Sequence, residues 1–347
     1  MPTAAPAKIT CQQLYKIFGK HPQRIQAALQ AGATKQEVLQ QTGHVVAVKD
    51  VSFTVRQGET FVVMGLSGSG KSTLVRCLTR LIEPTSGRVL LDGEDILTMD
   101  EARLRQLRRH KMSMVFQHFG LFPHRRVIDN VAYGLETQGM DKRQRLARAQ
   151  EALELVGLKG WHDHFPGELS GGMQQRVGLA RALAVDPEIL IFDEPFSALD
   201  PLIRREMQDE LIKLQEIMHK TLIFITHDFL EAIKLADYLA IMKDGEIVQM
   251  GPPQQVVLHP VNEYVCEFTE DVPRSHVVTA AAIMRPPLPE DGAAYLPAVP
   301  PDVTLQALVP IAAERDARIA VRGQEGDLLG IVDRRGLMLA LAGLELT

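Results

Sequence analysis

The sequence predicts an α/β fold with a parallel sheet, followed by a small α+β module. Helices and buried strands alternate between residues 176 and 250. Two short apolar runs in that stretch, 189–192 and 221–225, are typical of parallel strands covered on both faces. A third apolar run, Thr60–Met64, leads into a glycine-rich loop and then a helix. This strand–loop–helix order predicts a phosphate-binding domain.

Composition and length indicate a globular protein with more than one domain. The 347 residues are 46% hydrophobic and 23% charged, which is ordinary for such proteins. The net charge of −5 argues against broad nucleic-acid binding, which usually shows as a basic face. No apolar run is long enough to span a bilayer, and residues 1–8 lack the apolar core of a secretion signal. We therefore expect a cytoplasmic protein with reduced, structural cysteines.

The N-terminal region predicts two strands separated by a helical insert. Residues 8–18 form the first predicted strand, and residues 20–43 carry apolar side chains at roughly helical spacing. Thr34 and Glu37 form the capping box of the second helix of this insert. A DNA-reading helix-turn-helix is the alternative. The insert lacks a basic cluster, so we favour a helical hairpin that packs on the domain.

The remaining elements follow from apolar periodicity and turn residues. Residues 101–111 predict a basic helix whose cations form a solvated face. Helical segments and turns alternate over 125–168, and residues 285–301 form a proline-rich loop. A small module then has a helix at 304–312, strands at 318–321 and 328–332 around a turn at 323–326, and a short final helix. The predicted domains are 1–270, with a helical subdomain at about 115–180, and 271–347.

The glycine-rich loop fits the pattern G-x-x-x-x-G-K-[ST]. Its candidate ligand-binding residues are Gly65, Ser67, Gly68, Ser69, Gly70, Lys71, Ser72 and Thr73. The glycines let main-chain N–H groups turn inward around a polyphosphate, and the helix N-terminus adds its positive dipole end. We expect Lys71 to reach the β- and γ-phosphates and Ser72 to hold Mg²⁺. The loop therefore predicts binding of a nucleoside triphosphate.

Two carboxylates follow the predicted strand at 189–192. Asp193 suits Mg²⁺, because this ion prefers hard oxygen ligands. Glu194 is placed to polarise an attacking water as a general base. Together with Lys71, these residues predict hydrolysis of the bound nucleotide.

A second anion-binding tip is predicted at residues 169–176. Ser170 is a good N-cap, and Gly171 and Gly172 expose main-chain N–H groups at the start of a helix. Leu-Ser-Gly-Gly resembles the signature of the ATP-binding cassette (ABC) family, and the resemblance covers roughly residues 8–255. In that family two ATPase domains dimerise head to tail, and each signature closes on the γ-phosphate held by the other's loop. The resemblance implies ATP and Mg²⁺ as ligands.

Further family motifs follow in the family's order. Gln117 matches the glutamine that touches Mg²⁺ and water, and His227 matches the switch histidine that contacts the γ-phosphate. Asp200, in the segment 197–200, matches a segment that lines the dimer interface. Phe18 matches the aromatic residue that stacks on adenine, with Tyr15 as a weaker candidate. Met173 departs from the usual glutamine, and we interpret it as a subfamily mark.

Other segments resemble the importer branch of the family. Residues 119–124 and 127–131 resemble the segments that, in importer ATPases, form a groove binding a short helix of the membrane permease. Three segments narrow the resemblance further: the helical insert, residues 81–87 and residues 197–204. Together they resemble the ATPase subunit of glycine betaine/L-proline importers, a bacterial group that takes up quaternary amines. The resemblance implies a peripheral ATPase on the cytoplasmic face of the inner membrane. Its implied partners are a permease, a second copy of itself and, indirectly, a solute-binding protein, with no nucleic acid.

Two alternatives stay open for function and two for the tail. An importer for an amino acid such as histidine is the first alternative, and a soluble, non-transport cassette ATPase is the second.

The tail resembles a single cystathionine-β-synthase-type (CBS) repeat beginning at 279–284. Asp333 and Gly336 stand where adenosine-binding repeats place Thr or Ser and then Asp, which disfavours nucleotide binding there. The module is then either regulatory or a plain dimerisation module.

Overall fold

The chain forms two compact units, Met1–Met250 and Gly251–Thr347. The computed structural model describes residues 5–117, 120–270, 272–288, 291, 296–314, 318–323, 325–342 and 344. The division differs from the predicted boundary at residue 270, because two short helices before that residue group with the second unit. Within the described residues, no helix has both the length and the hydrophobicity needed to cross a membrane.

The first unit combines an antiparallel sheet with a larger, mainly parallel one. Its strands are β1 (Ala7–Phe18), β2 (Val45–Arg56), β3 (Thr60–Met64), β4 (Ser86–Leu91), β5 (Glu94–Asp95), β6 (Met112–Val115), β7 (Ile189–Asp193), β8 (Thr221–Thr226), β9 (Tyr238–Lys243) and β10 (Glu246–Gly251). The antiparallel sheet has the order β2-β1-β4-β5, and the six-stranded sheet has the order β10-β9-β3-β8-β7-β6.

The helices of the first unit pack against its sheets or against one another. They are α1 (Pro22–Gln30), α2 (Lys35–Thr42), α3 (Lys71–Leu78), α4 (Glu101–His110), α5 (Val127–Thr137), α6 (Lys142–Leu155), α7 (Gly171–Ala184), α8 (Pro201–Met218) and α9 (Phe229–Leu235), with a 3₁₀ turn at Pro166–Glu168. The predicted basic helix is α4, and α5 and α6 lie where helical segments were predicted.

Parallel pairing in the larger sheet brings three loops to one edge. Strand β3 pairs in parallel with β8, with Met64 opposite Thr226. Strand β7 also pairs in parallel with β8, with Asp193 opposite Ile225. The residues after these three strands therefore leave the sheet at the same edge, where α/β folds place their ligands. All residues of β3, β7 and β8 are buried, which confirms the strands predicted from the apolar runs.

The insert is a helical hairpin, as predicted, and it has its own small core. Thr34 caps α2 and forms the predicted capping box with Glu37. Buried side chains of the hairpin pack against Ile17 of β1 and Val46 of β2. These contacts hold the hairpin between the end of β1 and the start of β2.

The second unit is a small α+β module. Its elements are α10 (Pro253–Leu258), α11 (Glu263–Thr269), α12 (Arg274–Val277), α13 (Ala280–Ile283), β11 (Ala298–Val299), α14 (Leu305–Glu314), β12 (Ile319–Arg322), β13 (Leu328–Val332) and α15 (Arg334–Ala342). Strand β12 pairs in parallel with β11 and antiparallel with β13. The prediction of a loop over 285–301 is wrong at Ala298 and Val299, because both pair with β12.

Candidate active site

A groove of about 440 Å³ runs along the glycine-rich loop of the first unit. The residues on its wall come from strands β1 and β2, the glycine-rich loop and the start of α3, the insert, and the segments that follow β6 and β7. They are Phe18, Lys35, Val45, Val46, Ala47, Ser67, Gly68, Gly70, Lys71, Ser72, Thr73, Gln117 and Glu194. The groove thus brings most of the predicted loop residues together with Phe18, Gln117 and Glu194.

Positive φ angles give the loop its shape. Gly65, Gly68 and Gly70 have φ of 151°, 80° and 106°, a region that side chains disfavour. Gly70 directly precedes α3, and a Cβ atom there would overlap the carbonyl oxygen of Ala47. Gly65 and Ser69 belong to the loop but not to the groove wall, and the buried Ser69 hydroxyl has no partner among the described residues.

Lys71 is buried at the first position of α3. Its Nζ donates to the carbonyl oxygens of Gly65 at 2.7 Å and Leu66 at 3.1 Å. The Oε1 atom of Glu194 lies 3.6 Å from the same nitrogen. Burial lowers the pKa of the Lys71 ammonium below its ordinary value, while Glu194 and Asp193 oppose that effect. Hydrogen bonds to the glycine-rich loop therefore orient the Lys71 ammonium.

Hard oxygen donors cluster beside Lys71. The Ser72 hydroxyl donates to Oδ1 of the buried Asp193 at 2.8 Å, and Arg76 Nη2 lies 3.4 Å from Oδ2. The Gln117 side chain borders the same groove. A hydroxyl, a carboxylate and an amide fit Mg²⁺, which takes few protein oxygens and completes its shell with water and phosphate. Among the described residues, no group of three His, Cys, Asp or Glu side chains forms an all-protein metal site.

The Glu194 carboxylate faces two cationic or ionisable side chains. Its Oε1 faces Lys71, and its Oε2 lies 3.1 Å from Nδ1 of His227. The Glu194 side chain is 18% exposed, whereas that of His227 is 52% exposed. Glu194 has φ of 48°, and its N–H donates to the carbonyl of Ile225 at 3.1 Å. The carboxylate is thus fixed at the groove wall by contacts from α3, β8 and the loop after β8.

The predicted second tip lies outside this groove. Ser170 is the N-cap of α7, and its Oγ accepts from the N–H of Met173 at 3.3 Å. Ser170 and Gly171 are exposed and Gly172 is half-buried. Asp200 is exposed and caps α8, accepting from the N–H groups of Leu202 and Ile203 at 3.1 Å. These four predicted residues therefore present exposed helix N-termini apart from the wall of the loop groove.

The aromatic wall of the groove comes from Phe18. Its ring is 41% exposed at the end of β1, and the ammonium of Lys16 lies 4.8 Å from the ring centroid. Tyr15 is 5% exposed, so burial makes it unsuitable for stacking on a ligand. The predicted permease-binding segment begins at Phe119, which lies outside the described residues.

Sequence reasoning missed five residues near the loop. Lys35, Val45, Val46 and Ala47 line the groove, and Arg76 lies beside Asp193. The capping box marks the helix that carries Lys35, but no local pattern indicates that this helix reaches the groove. The position of Arg76 four residues after Ser72 is a helical spacing that could have placed both side chains on one face of α3.

Comparisons with known proteins agree with this geometry. A family described as "ABC transporter" matches residues 48–197. The glycine betaine/carnitine transport ATP-binding protein GbuA of Listeria monocytogenes is 56% identical, covering 81% of this chain and 71% of GbuA. The trimethylamine N-oxide transport system ATP-binding protein TmoW of Ruegeria pomeroyi is 48% identical, covering 95% of this chain and 96% of TmoW. A dimeric post-hydrolysis structure of the ATP-binding cassette MJ0796, bound to ADP and Pi, aligns with a TM-score of 0.60 and 31% identity over 71% of this chain and 98% of that one.

Proposed function

This chain belongs to the ABC transporter family as a transport ATPase, and we propose that it powers the import of a quaternary amine or similar compatible solute. The family model, the ATP-binding relatives and the cassette structure support ATP as the nucleotide. GbuA is named for glycine betaine and carnitine, and TmoW for trimethylamine N-oxide. Glycine betaine is therefore the first solute to test, followed by choline and proline, which the resemblance to quaternary-amine importers implies.

One observation carries the hydrolytic part of the proposal. The Glu194 carboxylate sits at the groove wall between Lys71 and His227, directly after the strand that holds Asp193. A carboxylate in this position can accept the proton of a water that attacks the terminal phosphate. Lys71 and His227 then face the phosphate oxygens on which negative charge develops. Ser72, Asp193 and Gln117 are the residues that would hold Mg²⁺, which neutralises phosphate charge.

Assembly into a head-to-tail dimer completes the proposed site. Ser170, Gly171 and Gly172 expose the N-terminus of α7 away from the loop groove of their own chain. A second copy would present this positive helix end to the terminal phosphate held by Lys71. Asp200 would lie at the same junction. The dimeric MJ0796 structure supports this arrangement.

A membrane permease is the proposed partner that couples hydrolysis to transport. GbuA and TmoW are named as ATP-binding proteins of transport systems, which supports a peripheral position at the cytoplasmic face of the membrane. A solute-binding protein would deliver the cargo. The second unit is proposed as a regulatory or dimerisation module.

The test is the substitution Glu194→Gln in the full chain assembled with its permease. The amide keeps the shape of the carboxylate but cannot accept a proton. We expect the isolated variant to bind ATP and to form a stable dimer by light scattering, and the assembly with its permease to lose about 100-fold or more of its hydrolysis rate. Glu216→Gln, a matched change at an exposed position of α8, is the control.

Near-normal ATP hydrolysis by Glu194→Gln would contradict the role of Glu194 as base. The solute is tested separately in proteoliposomes with the permease and the solute-binding protein. Hydrolysis stimulated by glycine betaine, choline or proline supports the importer assignment. Stimulation by histidine alone would favour the amino-acid importer instead.

A further inference from the structure

The helical insert contributes a cation to the groove. Lys35 is the first residue of α2, and it lines the same groove as the loop residues Ser67 and Gly68. Within the described residues, Lys35 and Lys71 are the cations on the groove wall. Lys71 is satisfied by two carbonyl oxygens and the Glu194 carboxylate. The Lys71 ammonium therefore already has close hydrogen-bonding partners within the protein, and the partner of Lys35 has to be compared with these.

Lys35 has a weak partner that a ligand could replace. Its Nζ lies 4.0 Å from Oδ1 of Asp244, and the two side chains are 27% and 69% exposed. At that distance and exposure the pair contributes little to stability, because water screens both charges. A phosphate oxygen in the groove would compete with Asp244 for the ammonium at small cost.

The backbone on both sides of Lys35 is firmly held. The capping box of Thr34 and Glu37 fixes the start of α2, and Val38 is buried in the core that the insert shares with β1 and β2. Asp244 lies in the turn before Gly245, whose N–H donates to the carbonyl of Ser69 at 2.9 Å. The Lys35 ammonium therefore lies beside a turn that is hydrogen-bonded to the glycine-rich loop.

We propose that Lys35 is a nucleotide-binding residue supplied by the insert, and that its ammonium contacts the phosphate chain of the bound nucleoside triphosphate. Lysine binds phosphate as a point charge on a flexible stem, so it can leave Asp244 for the ligand without movement of α2. The insert then has a role in nucleotide affinity as well as in packing. This inference rests on the proposed function, because it assumes that ATP occupies the groove.

The experiment measures the affinity of the full chain for non-hydrolysable analogues of ATP and GTP by titration calorimetry. Lys35→Met keeps the apolar stem and removes the charge, and we expect it to weaken both analogues by about three- to tenfold. Lys35→Arg should retain most of the affinity. Asp244→Asn should leave the affinity unchanged or raise it by up to about threefold, because the competing carboxylate is gone.

Lys49→Met is the matched control. Lys49 is 25% exposed and pairs with Glu246 at 2.5 Å, but its side chain does not line the groove. We expect its analogue affinity to equal that of the wild type. Melting temperatures without nucleotide check that every variant is folded.

The outcomes separate this inference from the proposed function. Failure of the wild type to bind the ATP analogue would refute nucleotide binding itself. Binding by the wild type with equal affinity in Lys35→Met would refute the inference alone. Equal loss of analogue affinity in Lys35→Met and Asp244→Asn would also refute it, because the Lys35–Asp244 pair would then have only a structural role. Weakening toward the ATP analogue but not the GTP analogue would also overturn the inference, since the cation would then contact the base.

Discussion

Glu194, the proposed general base, has an unfavourable backbone conformation. Its φ of 48° lies in the left-handed region, which costs a residue with a side chain about 1–2 kcal/mol. The hydrogen bond from its N–H to Ile225 and the contacts of its carboxylate with Lys71 and His227 offset that cost. Strain of this kind is concentrated at active sites, because the surrounding fold holds a reactive group where chemistry needs it.

Gly70 is a loop residue with no room for a side chain. We expect Gly70→Ala to lower the melting temperature and to abolish nucleotide binding, because its Cβ would overlap the Ala47 carbonyl and its φ is 106°. Gly68→Ala is the comparison, since Gly68 has φ of 80° but open space around the added atom. Thermal unfolding without nucleotide should show the larger loss for Gly70→Ala. Equal melting temperatures for both variants would contradict the steric argument.

Helices α8 and α9 are joined by a buried carboxylate. Glu231 of α9 accepts a hydrogen bond from Nε2 of Gln208 on α8 at 3.0 Å. Burial raises the pKa of the Glu231 carboxyl, while hydrogen bonds with Thr226 and Gln208 oppose that effect. Glu231 lies four residues after His227, so the same contact supports the segment that positions the histidine.

This raised pKa predicts the sign of a pH effect. The folded protein holds the Glu231 proton at pH values where the unfolded chain has released it, so this group favours folding less as pH rises above its ordinary pKa of 4.5. The Gln side chain of Glu231→Gln is uncharged at every pH, so the variant does not lose stability in this way as pH rises. We therefore expect the melting temperature of the variant, relative to the wild type, to increase between about pH 4 and pH 7.

The control for this effect is Glu151→Gln on α6, where the carboxylate is exposed in the folded protein. Water solvates that group in both states, so we expect a smaller pH-dependent difference. A relative melting temperature of Glu231→Gln that falls with rising pH would contradict the burial argument.

At the scale of the whole molecule, the chain contains two units with separate cores. The core of the second unit gathers side chains from its helices and its three strands. Asp291 is buried in this unit and accepts from Arg285 at 2.7 and 2.9 Å and from Arg318 at 2.8 Å. The hydrogen bonds from Arg285 hold the pKa of the Asp291 carboxyl well below its usual range.

Asp291→Asn should weaken the second unit and leave the first intact. The amide leaves two guanidinium groups without their shared carboxylate, so calorimetry should show a lower unfolding temperature for one transition. An ATP analogue should still raise the unfolding temperature of the first unit, because the loop groove belongs to that unit. The wild-type advantage should fall at acid pH, since a lowered pKa stabilises only the ionised form.

Asp302→Asn, at an exposed position of the same unit, is the control and should unfold like the wild type. Loss of analogue binding in Asp291→Asn would contradict the separation of the two units.

The sequence by itself determined strands β3, β7 and β8, the glycine-rich loop, the insert and the order of the motifs. Apolar runs mark strands buried on both faces, and glycines mark the loop, because these are local requirements of backbone and burial. For the same reason, the capping box marked α2 without any knowledge of its neighbours.

Only the tertiary structure decided which of these residues share the groove. Parallel pairing of β3, β7 and β8 brought Lys71, Glu194 and His227 to one edge, although more than a hundred positions of sequence separate the first two. Packing of the insert brought Lys35 beside the loop, and burial removed Tyr15 from the candidates for stacking. Pairing and packing depend on contacts between distant segments, which no local pattern of residues encodes.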